Sequence, residues 1–300
     1  MKQRMIWKNG RFLGEEHAVV SLYDTGAMWG SAVFEMMRTF AGKTFRLAEH
    51  LDRLKRSYEY VNPSPMPAIP WEDVAEAHEE LLDYHRREFP SEPEWRTLIH
   101  VSPGPLPIYE HLVQEPLVII TCYPLRWVLR GHSADYDGVR ARFVLSEWGR
   151  YAQAKHRSRL ELRMAEGDVR GFDPEAVPIL VREGRWITES SGSNVFFVER
   201  WRLITPGRFC LPGISRDYVI RLAQKLGIAV SSTADFSTER APRATECFLT
   251  NTPFCIVPVT KLNSLPVGDG HIGEVTRALT DAWRDDVGVN FVEQARSFDR

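Results

Sequence analysis

Three hundred residues at 43% hydrophobic and 26% charged content suffice for one large globular domain or two medium ones, with ample core in either case. A formal charge of −2 removes the electrostatic reason to expect nucleic acid or an anionic membrane as the main partner. No apolar run approaches the length of a membrane span, and the first residues lack the long apolar core of a signal peptide.

Met5-Ile6-Trp7, Asn9-Gly10 and Arg11-Phe12-Leu13 predict a hairpin, because Asn and Gly both tolerate positive φ. An extended run over 32–40 ends at a Gly42-Lys43 turn and returns through 44–47 as a second hairpin. Leu47, Leu51, Leu54 and Tyr58 then fall at helical spacing. A proline-rich stretch over 63–70 ends that helix and leads to another over about 71–88. Strands are expected at 97–101 and 117–121, and an irregular polar stretch follows. The second half carries strands near 139–146, 176–182, 186–189, 194–199 and 202–205, with a helix near 157–171. A helix at about 214–226, strands near 228–232, 245–250 and 255–259, and a final helix at about 273–286 complete it. Helices fall between groups of strands joined by short turns, which favours an α+β fold. The domain reading is 1–125, a connecting loop at 126–136, and 137–300.

Four cysteines show no CxxC and no zinc-like spacing, and the nine histidines form no ligand pattern. The expectation is no metal, buried thiols at Cys247 and Cys255, and a reducing, cytoplasmic setting.

Chemistry gathers around one lysine. Of seven lysines, Lys155 opens a segment halfway along, and Glu189 follows it ahead of a Ser/Gly-rich turn to Asn194. An amine for a Schiff base and a carboxylate for a pyridine nitrogen are the needs of pyridoxal phosphate chemistry. Gly213, Ile214 and Ser215 open an amphipathic segment, and a helix start with bare N–H groups is a ready phosphate site. Thr252, between two strand-like runs, offers a hydroxyl and an amide. Arg53 sits between Leu51 and Leu54 near the edge of a buried face, and arginine makes the bidentate contact a phosphate prefers. Each of these, taken alone, equally describes an ordinary cap, turn or surface charge.

Their order resembles the class IV aminotransferases, the fold-type IV group of pyridoxal phosphate enzymes. The likeness runs over W-x-N-G at 7–10, D-x-G-x-x-x-G at 24–30, V-F-E-x-x-R at 33–38 and F-R-L-x-x-H-L-x-R-L at 45–54. It continues through Lys155, E-x-x-x-x-N-x-F at 189–196, Thr205-Pro206, L-P-G-I-S-R at 211–216, Glu246 and Pro258-Val259. The resemblance implies a smaller N-terminal α/β domain, a larger C-terminal domain with a barrel-like sheet, and pyridoxal 5′-phosphate between them. It implies Lys155 as Schiff-base lysine and proton carrier and Glu189 on the pyridine nitrogen. Arg53, Ile214, Ser215 and Thr252 would hold the phosphate, with Asn194 and Gly213 also at the cofactor. Amino acid and 2-oxo acid substrates and a homodimer follow from the same likeness.

Glu35 and Arg38 match the branched-chain group and favour transamination, and both are candidate substrate-binding residues. Branched-chain members often carry a tyrosine about five residues after the lysine. Arg159 and Leu160 stand there instead, which is closer to aminodeoxychorismate lyase and makes that reaction the alternative. The D-amino acid transaminases often bind the substrate carboxylate through an arginine and a histidine in a loop for which this chain has no arginine. Arg130 and His132 are the candidate substitutes, with Arg159 as a further substrate contact. A non-catalytic binding protein on the same fold is the remaining alternative.

Overall fold

The computed structural model describes residues 2–62, 67–149, 151–232 and 235–300. The chain divides into two compact units, Met1–Val128 with Ala154–Ser158, and Leu129–Gln153 with Arg159–Arg300. Residues 63–66 of the proline-rich stretch lie outside the described residues.

The first unit opens with the hairpin β1 (Met5–Lys8) and β2 (Arg11–Gly14). Asn9 and Gly10 both have positive φ, 43° and 84°, the sense a two-residue hairpin turn of this kind requires. Helix α1 (Thr25–Trp29) starts at Asp24, whose carboxylate accepts from the Gly26 N–H at 2.7 Å and from Ser102 Oγ at 2.6 Å. Strand β3 (Val33–Phe40) turns into β4 (Lys43–Thr44) through Ala41 and Gly42. The turn therefore lies one residue earlier than expected, because Lys43 pairs with Phe40. The returning strand is only two residues long, and Arg46 enters the left-handed region (φ 54°) as α2 (Leu47–Val61) begins. Helix α3 (Trp71–Glu88) and strands β5 (Trp95–Ser102) and β6 (Leu117–Pro124) follow.

All six strands pair antiparallel in the order β2-β1-β6-β5-β3-β4. Because side chains alternate along a strand, the register sorts this sheet into two faces. Val33, Glu35 and Met37 share one face with Val101, Ile99 and Thr97. Leu54 and Tyr58 of α2 and Val74 and Leu81 of α3 pack in the same core as Val33, Met37 and Ile99. Each fully buried aliphatic side chain there contributes roughly 1.5–3 kcal/mol. The opposite face carries Phe34 beside His100, Met36 beside Leu98, and Arg38 beside Arg96.

Residues 154–158 group with this unit for a main-chain reason. The Phe34 N–H donates to the Lys155 carbonyl at 3.0 Å, the Arg157 N–H donates to the Ala32 carbonyl at 2.8 Å, and Val33 bridges His156. That pairing ties the segment to β3, and the helix expected from about 157 starts three residues later, at Leu160.

Helix α4 (Arg126–Leu129) and a 3₁₀ turn at Ser133–Asp137 occupy the stretch read as a connecting loop. The second unit then carries β7 (Val139–Leu145), α5 (Leu160–Phe172), β8 (Ala176–Arg182), β9 (Trp186–Ser190), β10 (Asn194–Glu199) and β11 (Arg202–Ile204). Next come α6 (Ile214–Lys225), β12 (Ala229–Ser231), β13 (Phe236–Ser237), β14 (Glu246–Asn251), β15 (Cys255–Leu262) and β16 (Leu265–Pro266). Its sheet runs β12-β11-β10-β14-β15-β7-β8-β9-β13, with β16 on β15. The β11–β12, β15–β7 and β7–β8 pairs are parallel and the rest antiparallel, which is the α+β class expected. Helix α7 (Glu274–Val287) is not the last one. Gly288 (φ 66°) closes it, and Asn290 caps α8 (Phe291–Phe298) by accepting from the Glu293 N–H. Among the described residues no helix is long and apolar enough to cross a membrane. Cys122, Cys247 and Cys255 are buried, and Cys210 is partly exposed.

Candidate active site

Lys155 is fixed at both ends of its peptide. Its N–H donates to Ser57 Oγ of α2 at 3.0 Å, and its carbonyl accepts from Phe34 of β3. Its Nζ lies 4.9 Å from the centroid of the Phe34 ring, and the Arg157 guanidinium carbon lies 4.1 Å from the same centroid. Helix α2 presents His50, Arg53 and Ser57 at intervals of three and four residues, which is one helical face. All three are buried.

Opposite that face stands Glu35, fully buried on β3. Its Oε1 accepts from Arg53 Nε at 2.6 Å, and its Oε2 accepts from Arg53 Nη2 at 2.7 Å. His50 Nδ1 lies 2.7 Å from the same Oε2. Burial opposes ionisation of Glu35, but the adjacent Arg53 and His50 outweigh it and hold the carboxyl well below the usual range. His50 moves down as well, because burial of the imidazole outweighs the attraction of Glu35. Both oxygens of Glu35 thus meet side chains of α2. Arg38, on the opposite face, donates from Nε to the Thr39 carbonyl and stacks 4.0 Å above Phe40.

The second unit builds its own set around Glu189, which lies inside β9. Trp148 Nε1 donates to Oε1 at 2.7 Å, the Leu211 N–H donates to Oε2 at 3.0 Å, and Asn194 Nδ2 stands 3.5 Å from Oε2. Asn194 Nδ2 also donates to the Leu211 carbonyl at 2.8 Å. Arg159 donates to the Ser191 carbonyl and lies within electrostatic reach of Glu189. Gly213 caps α6 with extended backbone and brings no side chain of its own to the cap. A Cβ at Gly213 would run into Asn194 Oδ1. The first-turn amides of Ile214 and Ser215 stand at the positive end of the helix. The Thr252 turn joins the same cluster. Asn251 Nδ2 donates to Ser193 Oγ at 2.9 Å, and Asn251 Oδ1 accepts from the Phe254 N–H at 2.8 Å.

The expected residues thus collect into two sets, Lys155, Arg53 and Glu35 on the first unit and Glu189, Asn194, Gly213, Ile214, Ser215, Thr252 and Arg159 on the second. Arg130 is exposed, and His132 pairs with Asp135 at 3.1 Å and meets the edge of Phe254. Several residues escaped the sequence reading. Ser57 and His50 carried a signal, since they share the helical face of Arg53. Trp148 carried none, because its partner is 41 positions away. Arg96 was readable only as one more arginine in a strand, yet its Nε is buried without a hydrogen-bond partner and desolvation lowers its pKa.

The family model for amino-transferase class IV matches residues 32–262. The branched-chain-amino-acid aminotransferase of Escherichia coli is 29% identical over 294 residues, covering 94% of this chain and 92% of that protein. The D-alanine aminotransferase of Listeria monocytogenes is 27% identical over 277 residues, covering 90% and 92%. Among solved structures, the branched-chain aminotransferase of Thermoproteus uzoniensis with norvaline aligns with a TM-score of 0.78 at 25% identity, covering 95% of each chain.

Proposed function

The chain belongs to the class IV aminotransferases, and from that premise we propose that Lys155 is the reacting amine in transfer of an amino group between an amino acid and a 2-oxo acid. The observation that carries this is the fastening of the Lys155 peptide to α2 and β3 on both sides, which fixes the root of one lysine beside the buried Glu35–Arg53–His50 cluster.

The donor sets fit pyridoxal 5′-phosphate. An anionic phosphate suits the guanidinium of Arg53, the first-turn amides of Ile214 and Ser215, and the Thr252 hydroxyl. A protonated ring nitrogen suits the carboxylate of Glu189, which the Trp148 and Leu211 N–H groups hold in place. When bound, the cofactor supplies an electron sink for the pair left as the substrate α-carbon loses its proton. Lys155 takes that proton from the α-carbon with its neutral amine and later gives it up as an acid. Glu35 keeps the Arg53 fork aimed, and Asn194 holds the Leu211 carbonyl beside the α6 cap. Arg38 and Arg159 are proposed as contacts for the acidic substrate, and the chain as a homodimer of a reducing, cytoplasmic setting.

Aminodeoxychorismate lyase chemistry is the lesser reading, resting only on Arg159 and Leu160. Purified protein with added cofactor is expected to show a visible absorption band and to move ¹⁵N from an amino acid to 2-oxoglutarate or pyruvate. Lys155→Ala should abolish the band and lower turnover at least about a hundredfold, the least that loss of a positioned base costs. A colourless wild-type protein, or pyruvate release from aminodeoxychorismate without amino transfer, overturns the proposal.

A further inference from the structure

We propose that Arg157 is a specificity-determining residue that binds a carboxylate of the substrate on the Phe34 face of the first sheet, so that acids are taken in preference to amines. This rests on the reading of Lys155 as the reacting amine.

Lys155 and Arg157 flank His156, which bridges Val33, and their main chains bond to Phe34 and Ala32. Both side chains reach the Phe34 ring, at 4.9 Å and 4.1 Å. A guanidinium resting on an aromatic ring gives up little freedom when its fork meets a carboxylate. A substrate whose nitrogen takes the place of the lysine amine brings its own carboxylate into the same neighbourhood. Lys155 is engaged at the reacting carbon and is not available to hold it.

The surroundings favour an anion. Phe34 pairs in register with His100, and Arg96 and Arg38 continue the same face. Burial first, and then the nearby Arg157, push His100 down to about 4, so it is neutral near pH 7 and does not compete for the anion. Asp24 is the acidic group that also acts on His100. Its carboxylate is turned onto Gly26 and Ser102. Met36 and Leu98 supply apolar floor between the cations.

The test uses cofactor-loaded wild type, Arg157→Leu and Arg157→Lys. Calorimetry measures the affinity of isovalerate, glutarate and the uncharged isovaleramide. Loss of a charge-assisted hydrogen-bonded contact is expected to weaken carboxylate binding about tenfold to a hundredfold in R157L, with the amide unchanged and partial recovery in R157K. KM for acid substrates should rise more than kcat falls. Weakening of both acids assigns the carboxylate beside the reacting carbon, and weakening of glutarate alone assigns a distal one. Acids that bind R157L as tightly as wild type, or that lose no more than the amide loses, overturn the inference. So does a wild type that binds neither acid better than the amide. Absence of the visible band from wild type would instead sink the reading of Lys155, and a band retained in R157L shows that the variant is folded and loaded.

Discussion

At the scale of the residue, Glu35, His50 and Arg53 form a buried, hydrogen-bonded charge cluster in the first unit. Glu35→Gln removes the counter-charge of a buried guanidinium, and an uncompensated buried charge costs about 3–5 kcal/mol. Urea unfolding at pH 7 should show a loss of that order. The group also sets a pH dependence. His50 and Glu35 both titrate lower in the folded chain than in the unfolded one. Their stabilisation is therefore complete above the unfolded values, about 6.5 for histidine and about 4.3 for glutamate. It is lost as pH falls, first through His50, joined by His85 and His100, which are also lowered by burial. Melting temperature should be steady near neutrality and begin to fall below about pH 6.5. A melting temperature that rises on acidification would contradict this. Trp148→Phe deletes one of the donors to Glu189, and loss of a hydrogen bond to a charged group costs about 1.5–3 kcal/mol. It should appear as weaker cofactor retention on dialysis.

Between residue and fold, two helix starts illustrate different solutions to the same problem of bare amides. Helix α7 is capped from outside by Glu246 of β14, which accepts from the Val275 and Thr276 N–H groups at 3.0 and 2.8 Å and from Thr276 Oγ1 at 2.7 Å. Glu246→Ala should cost about 1–3 kcal/mol of stability without changing the visible band. Helix α6 starts instead at Gly213, which brings no side chain to the cap. Gly213→Ala strains no backbone, since φ is −73°, but its methyl displaces Asn194. Overpacking of that kind costs about 1–3 kcal/mol. Here it should also loosen the cofactor, the reverse of the Glu246 outcome. At this scale the sequence was informative. The L-P-G-I-S-R run marks the α6 start, and Leu51 and Leu54 place Arg53 at the buried face of α2. Burial of Arg53 to 3% exposure was not readable, because it depends on a carboxylate delivered from β3.

Across the whole molecule, the first unit exposes apolar residues in two linked segments. Val19, Leu22, Met28 and Trp29 lie in one, and Ile108 and Val113 in the other. The Thr25 N–H donates to the Gly104 carbonyl, and the Tyr23 and Tyr109 rings stand 4.9 Å apart, so the two segments form one region. Apolar patches of this kind mark association surfaces, which supports the proposed homodimer. Light scattering should give a mass near twice 34.5 kDa. The double variant Leu22→Glu with Trp29→Glu should shift it toward the monomer, and an unshifted mass would remove this surface from the interface.

What the sequence by itself determined is what nearest neighbours along the chain dictate. Asn9-Gly10 made a hairpin, the 3–4 spacing of Leu47 to Tyr58 made α2, and the order of motifs from Glu35 to Pro258 identified the family. The tertiary structure decided which distant groups meet. It drew residues 157 and 158 out of the expected helix and onto β3, where main-chain bonds to Ala32 and Phe34 hold the segment. It brought Glu35 to Arg53 and Trp148 to Glu189, and set Arg157 over the ring that Lys155 also covers. Those pairings depend on strand register and helix packing, and no spacing along the chain encodes them.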